Sequence, residues 1–205
     1  MIVIIDYGLG NLGSIQNMLK RVGYREVLIS KDPNEIDKAE KMILPGVGSF
    51  DNGMQKIYDS GLMATLNHQV LEKKKPILGI CLGMQLLTNG SEEGKSKGLG
   101  WIDAETVKFS FNDDAKELKI PHMGWNEISI SKNHALCKNL PNPSKFYFVH
   151  SYYVKCNKIE EELMSCSYGI DFSCAIQKDN IMGVQFHPEK SHKFGMEIFK
   201  NFVEL

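Results

Sequence analysis

The segment 76–88 constrains the fold of this chain more than any other: Pro76, then Ile77, Leu78, Gly79 and Ile80, then Cys81, Leu82 and Gly83, then Met84, Gln85, Leu86, Leu87 and Thr88. A short apolar run after a proline reads as a buried strand and 84–87 as the first turns of a helix, so Cys81 falls on the strand-to-helix turn. Gly79 and Gly83 flank it where a sharp turn leaves little room for a Cβ atom, which gives Gly-x-Cys-x-Gly, the thiol counterpart of a nucleophile elbow. Such a turn lifts the sulfur above the sheet edge and places it at a helix N-terminus, where unpaired N–H groups favour the thiolate. The competing reading is a buried structural cysteine. Choosing between them requires a base elsewhere in the chain.

The preceding residues supply strand–turn–helix units. Residues 2–5 form an apolar strand, followed by a helix over about 14–22 with Ile15, Met18, Leu19 and Val22 on one face. Between them Gly8, Gly10 and Gly13 spell G-x-G-x-x-G, and Asp32 follows near a second strand at 27–29, the pattern of a dinucleotide site. A site built on Cys81 leaves a dinucleotide no chemical task, so these glycines are read as packing the first helix close to the sheet, with Asn11 at an exposed tip that could face a partner. The next strand, 41–44, runs into Pro45, Gly46, Val47 and Gly48 and then a helix after Asp51. Glycines at 46 and 48 free the backbone to turn N–H groups inward, as an oxyanion hole or phosphate cradle needs, and the missing Gly-Lys-Ser/Thr rules out a P-loop. A helix over about 62–74 leads to the elbow.

Beyond a polar, glycine-bearing loop at 89–98 the pattern becomes strand-rich: 101–111, 125–130, 145–154, 173–177 and 181–186, with 178–180 as a hairpin turn. The last helix starts near Ser191, a plausible N-cap, with Phe194, Ile198, Phe199, Phe202 and Val203 facing the core. The expected fold is α/β: a single domain over 1–205 with a central mixed, largely parallel sheet flanked by helices.

The base lies after the last strand. Pro188 biases His187 toward extended geometry, and residues two apart in an extended chain point the same way, so His187 and Glu189 project together. A carboxylate beside an imidazole fixes its tautomer and stabilises the imidazolium, completing a Cys81–His187–Glu189 set. His122 and His150 stay open between core and pocket roles. His68, His134 and His192 read as surface residues. No histidine pair has ligand spacing, so no metal is expected.

A net charge of −1 gives no global attraction to nucleic acid or to anionic membrane. No segment approaches the length of apolar chain that crosses a bilayer. The five cysteines form no C-x-x-C pair, which suits a reducing, cytoplasmic setting better than a disulfide framework.

The motifs Pro45-Gly46-Val47-Gly48, Gly79-x-Cys81-x-Gly83-x-Gln85 and His187-Pro188-Glu189, in this order and spacing, resemble those of the class I glutamine amidotransferases over nearly the whole chain. Asp6 to Asn11, Pro121 to Asn126 and Phe146 to Tyr152 narrow the resemblance to members that serve as glutaminase subunits of imidazole glycerol phosphate synthases. It implies hydrolysis of glutamine, without a cofactor, to glutamate and ammonia through a γ-glutamyl thioester on Cys81. His187 would act as base and then acid, with Glu189 orienting it. The N–H groups of Gly46, Val47, Gly48 and Leu82 would hold the oxyanion, and Gln85, His150, Ser151 and Tyr152 the amino-acid end of the substrate. It further implies that ammonia passes to a docked (β/α)8-barrel synthase subunit, with Asn11, Trp125, Tyr147 and Lys190 toward that partner. Gly13 and the segment 191–195 are more similar to paralogues that feed sugar-modifying amidotransferases, which leaves two acceptors open. A stand-alone cysteine hydrolase is a further alternative.

Overall fold

The computed structural model describes residues 1–111 and 117–205. A four-residue strand buried on both faces, β1 (Ile2–Ile5), leads into α1 (Leu12–Arg21), β2 (Val27–Ser30), α2 (Pro33–Lys38), β3 (Lys41–Leu44) and α3 (Phe50–Asp59). Then come α4 (Met63–Asn67), a π-helical continuation (His68–Glu72), β4 (Ile77–Ile80) and α5 (Leu82–Leu86). The later part comprises β5 (Gly90–Ser91), β6 (Ala104–Lys108), β7 (His122–Ile130), β8 (Ser144–His150), β9 (Tyr152–Cys156), β10 (Glu162–Ser167), β11 (Asp171–Lys178), β12 (Ile181–Val184) and α6 (His192–Glu204).

One sheet carries all of these strands, in the order β2-β1-β3-β4-β12-β11-β10-β7-β8, with β9 pairing β11 and β6. The five strands from β2 to β12 are parallel, and β12 to β8 run antiparallel to their neighbours. The difference follows from the sequence. β1, β4 and β12 are unbroken apolar runs, fit for a parallel sheet covered on both faces, whereas β7 and β8 alternate between buried and more exposed residues. Alternation also divides the core. Ile2 and Ile4 pack on one face with Ile15, Leu19, Ile198 and Phe202 of α1 and α6, and Val3 and Ile5 on the other with Met54, Ile57 and Leu66 of α3 and α4.

Several elements differ from the sequence expectation. The strand at 145–154 breaks at Ser151 into β8 and β9, which join different neighbours, β7 on one side and β6 with β11 on the other. β10 begins on the last of the acidic residues 160–162 and has no alternating pattern; its pairing with β11 and β7 makes it a strand. α2 is capped by Asp32, whose Oδ1 accepts from the Asn34 amide at 2.9 Å. The aspartate of the dinucleotide pattern is therefore a helix cap. The glycine reading also divides. A Cβ at Gly10 would sit 2.9 Å from Pro45 Cβ, at a φ of +109°, whereas Gly13 has nothing within 4 Å and needs no glycine for close packing.

The order β3-β4-β12 positions the site. The loop 45–49, the elbow at Cys81 and the segment 185–189 all leave the carboxyl ends of three adjacent parallel strands, where α/β sheets form their ligand crevices.

Candidate active site

Cys81 adopts φ 54° and ψ −111°, a region that side-chain-bearing residues seldom occupy and that persists only where neighbours enforce it. Its amide donates to the Val184 carbonyl at 2.8 Å, and its own carbonyl accepts from the Met84 and Gln85 amides. The flanking glycines are a steric necessity. A Cβ at Gly79 would lie 2.7 Å from the Gly83 carbonyl oxygen, and one at Gly83 only 1.8 Å from that of Leu44. α5 spans five residues, so the sulfur is supported by the orphan amides of one short turn and by its neighbours more than by a long helix dipole.

Those neighbours include His187. Glu189 Oε1 bonds its Nδ1 at 2.8 Å, with both side chains almost completely buried. Residues 188–190 form a short 3-10 turn, so the carboxylate reaches the ring by chain reversal and not by the extended geometry expected. Ser191 does not cap α6. Its hydroxyl donates to the His187 carbonyl at 2.7 Å and accepts from the Tyr147 amide at 3.0 Å, while the His187 amide donates to the Tyr147 carbonyl at 2.9 Å. These bonds tie the histidine to β8. With Nδ1–H held by Glu189, Nε2 is left to face the pocket, buried and without an aligned protein partner. Burial opposes charge on the ring, but the adjoining Cys81 sulfur and the Glu189 carboxylate outweigh it and raise the His187 pKa to about 10. Cys81, His187 and Glu189 are thus brought together.

Cys81 and His187 open on a pocket of about 330 Å³ that is also lined by Val47, Gly48, Leu82, Gln85, His150, Ser151 and Tyr152. Gly46, also expected there, does not line the pocket and is packed behind it: a Cβ would meet the Tyr7 hydroxyl at 2.7 Å and the Gly83 nitrogen at 2.9 Å. That buried hydroxyl donates to the Pro45 carbonyl at 2.6 Å, which pins the root of the 45–48 loop. Glu93, Pro121 and Val149 line the pocket as well, and none of them was among the expected site residues. Glu93 belongs to the polar loop at 89–98; its Oε2 accepts from the Phe50 amide at 2.7 Å at the start of α3, a long-range bond with no periodic signature.

His122 and His150 form a buried pair. The Tyr152 carbonyl can only accept, so it takes the Nδ1–H of His150 at 2.8 Å, and His150 Nε2 then accepts the Nδ1–H of His122 at 2.9 Å. Burial pushes their pKa values down to about 3 for His150 and about 4 for His122, and both rings are neutral. Below pH 6.5 the unfolded chain therefore binds protons that the folded one refuses, and stability is lost as pH falls from 6.5 toward 4. His187 has the opposite sign: its contribution is full below 6.5 and fades as pH rises toward about 10. Urea unfolding followed by circular dichroism should show maximal stability near pH 6.5, falling on the acid side by up to about 2.7 kcal/mol per unit for two protons. A flat profile between pH 6.5 and 5 would contradict the neutral pair. His68, read as a plain surface residue, also has a carboxylate partner, Glu72 at 2.8 Å, but in the open.

Of the residues expected at a partner face, three meet. Trp125, 47% exposed, contacts Tyr147 edge-on at 6.2 Å, and the Lys190 ammonium stands 5.6 Å over the Tyr147 ring. Asn11 is exposed before α1. His192 joins the group, stacked flat on Trp125 at 5.3 Å. Among the described residues no cluster of three or more His, Cys, Asp or Glu could hold a metal, and no helix is long and apolar enough to cross a membrane.

Residues 3–205 match the family model described as glutamine amidotransferase class-I. The imidazole glycerol phosphate synthase subunit HisH 2 of Methanococcus maripaludis is 55% identical over 204 residues, covering 100% of this chain and 99% of its own. The protein of the same name from Pseudomonas aeruginosa is 53% identical over 205 residues, and the subunit HisH of Leptospira borgpetersenii 45%, each covering 100% of both chains. Among solved structures, a glutamine amidotransferase matches with a TM-score of 0.77 at 15% identity, over 100% of this chain and 98% of that one. A putative GMP synthase subunit from Thermoplasma acidophilum matches with a TM-score of 0.71 at 21% identity, over 99% and 92%. These structural likenesses show the fold.

Proposed function

Because this chain belongs to the class I glutamine amidotransferases, we propose that it is the glutaminase subunit of an imidazole glycerol phosphate synthase of histidine biosynthesis, with Cys81 as nucleophile, His187 as proton carrier and Glu189 as its orienting carboxylate. The observation that carries the site assignment is the meeting of Cys81 and His187 at one pocket, with Glu189 2.8 Å from His187 Nδ1 behind them.

The Cys81 thiolate attacks the side-chain amide carbon of glutamine, forming a C–S bond and a tetrahedral oxyanion. That charge is assigned to the amides of the 46–48 loop and of Leu82, a reading supported by Val47, Gly48 and Leu82 lining the pocket with Cys81, and one well-placed donor is worth about 3 to 4 kcal/mol. His187 then passes its proton to the leaving nitrogen, the C–N bond breaks, and ammonia departs from a γ-glutamyl thioester. Water, deprotonated by His187, attacks the thioester; the C–S bond breaks to give glutamate and the free thiol. Gln85 has both N–H groups engaged by protein oxygens, which leaves its Oε1 as an acceptor for the substrate ammonium. The Glu93 carboxylate adds complementary charge, and Ser151 and Tyr152 the remaining polar contacts.

The relatives are named as synthase subunits, and this chain has an exposed face suited to a docked neighbour. Trp125, Tyr147 and Lys190 form a mixed aromatic and cationic platform, and Met123 beside them is 61% exposed. The occupant is a (β/α)8-barrel synthase subunit that takes the ammonia and yields imidazole glycerol phosphate and an aminoimidazole carboxamide ribotide, with both subunits in the cytoplasm. One observation favours a second acceptor, a sugar-modifying amidotransferase: the unusual 191–195 segment puts His192 flat on Trp125, within this platform.

The test is labelling with a diazoketone analogue of glutamine, with and without each candidate partner, followed by mass spectrometry. The other thiols are held protonated by burial, Cys137 and Cys156 up to about 11, Cys166 to about 12, and Cys174 well above its ordinary value. Modification is therefore expected at Cys81, weak in the lone chain and rising sharply with the cognate partner. Modification at Cys137, Cys156, Cys166 or Cys174 in its place would overturn the assignment.

A further inference from the structure

A buried amide approaches the same sulfur. Gln185 directly follows β12, is wholly buried, and stands two residues before His187. Its Nε2 donates to Cys81 Sγ at 3.8 Å. Its Oε1 accepts from Gln85 Nε2 at 3.0 Å, and this decides which end of the amide faces the sulfur. Gln85 is in turn fixed by the Tyr152 carbonyl at 3.1 Å, the same oxygen that takes the Nδ1–H of His150. Each neighbour thus has a bond that sets its direction, and the chain of bonds ends on the nucleophile. An N–H aimed at sulfur favours thiolate over thiol, because the anion is the better acceptor and the site is dry.

We propose that Gln185 is a catalytic residue of this site, its side-chain amide N–H holding the Cys81 sulfur as a thiolate and Gln85 holding that amide in the only orientation that can do so. The inference rests on Cys81 being the nucleophile. The other titratable groups facing the sulfur are His187 beyond β12, Tyr7 beyond β1, and Glu93 and His150 across the pocket.

Gln185→Glu and Gln185→Met separate this role from packing. Glutamate keeps the size and the acceptor for Gln85 but replaces the donor with negative charge, whereas methionine keeps the size and removes both. The rate of Cys81 alkylation by iodoacetamide, followed by mass spectrometry from pH 5 to 10, reads the thiolate directly. With methionine the midpoint should move upward and the rate at pH 7 fall about tenfold, the weight of one hydrogen bond to a charged acceptor, and with glutamate the fall should be larger. If glutamate, with the Gln85 contact intact, labels with the wild-type midpoint, the residue is structural and the proposal fails. Should neither variant fold, the wild-type protein decides: the Gln185 side-chain amide resonances should shift as Cys81 is alkylated, and unmoved resonances overturn the proposal. Alkylation that bypasses Cys81 for another cysteine would instead count against the nucleophile itself.

Discussion

Cys81→Ala is expected to reduce glutamine hydrolysis by a factor on the order of 10⁴ or more, while glutamine still binds and the fold persists. The mutation removes the atom that forms the thioester and leaves the pocket wall otherwise intact, with Gln85, Glu93 and Ser151 in place. His187→Asn should cost a comparable amount, since an unactivated thiol at this turn loses its proton acceptor. The double mutant should be scarcely worse than either single one, because groups that act as one unit are not additive. Steady-state release of glutamate, measured with the cognate partner, tests this, and ammonium salts supplied to the same complex should restore synthesis downstream. A Cys81→Ala protein retaining more than about a hundredth of the activity would refute covalent catalysis at this residue.

The second large effect belongs to a residue with no side chain. Gly83→Ala is expected to destabilise the protein by about 4 kcal/mol or more, at the far end of the range for single substitutions. The added Cβ would sit 1.8 Å from the Leu44 carbonyl oxygen and 2.9 Å from its carbonyl carbon. Both are backbone atoms of β3, so no rotamer change relieves the contact. α5 must lift from the sheet, carrying the Leu82 amide away from the pocket. Gly13→Ala provides the contrast: with nothing within 4 Å and a helical position, it should be neutral or stabilising by up to about 1 kcal/mol. Thermal denaturation of both variants tests the pair. A Gly83→Ala protein within about 1 kcal/mol of wild type would mean that the elbow tolerates far more slack than its contacts indicate.

The amino-acid order by itself determined the parts whose cause is local. β1, β3, β4 and β12 are apolar runs bounded by breakers, α1 and α6 have helical periodicity, and the elbow glycines announce a turn without room for a side chain. Cys81, His187 and Glu189 were legible because a nucleophile at such a turn and a carboxylate near a histidine each have a chemical meaning in a few residues. Neighbourhood lay beyond it. β10 is a strand because β11 and β7 offer it partners, and 145–154 divides at Ser151 because its halves pair with different strands. Ser191 binds the His187 carbonyl where a helix cap was expected, Glu93 turns into the pocket through a bond to Phe50, and Gln185 meets the sulfur through an amide set by Gln85. A side-chain hydrogen bond between segments far apart in the chain has no period and no composition, and exists only once the β3-β4-β12 order has brought those segments to one sheet edge.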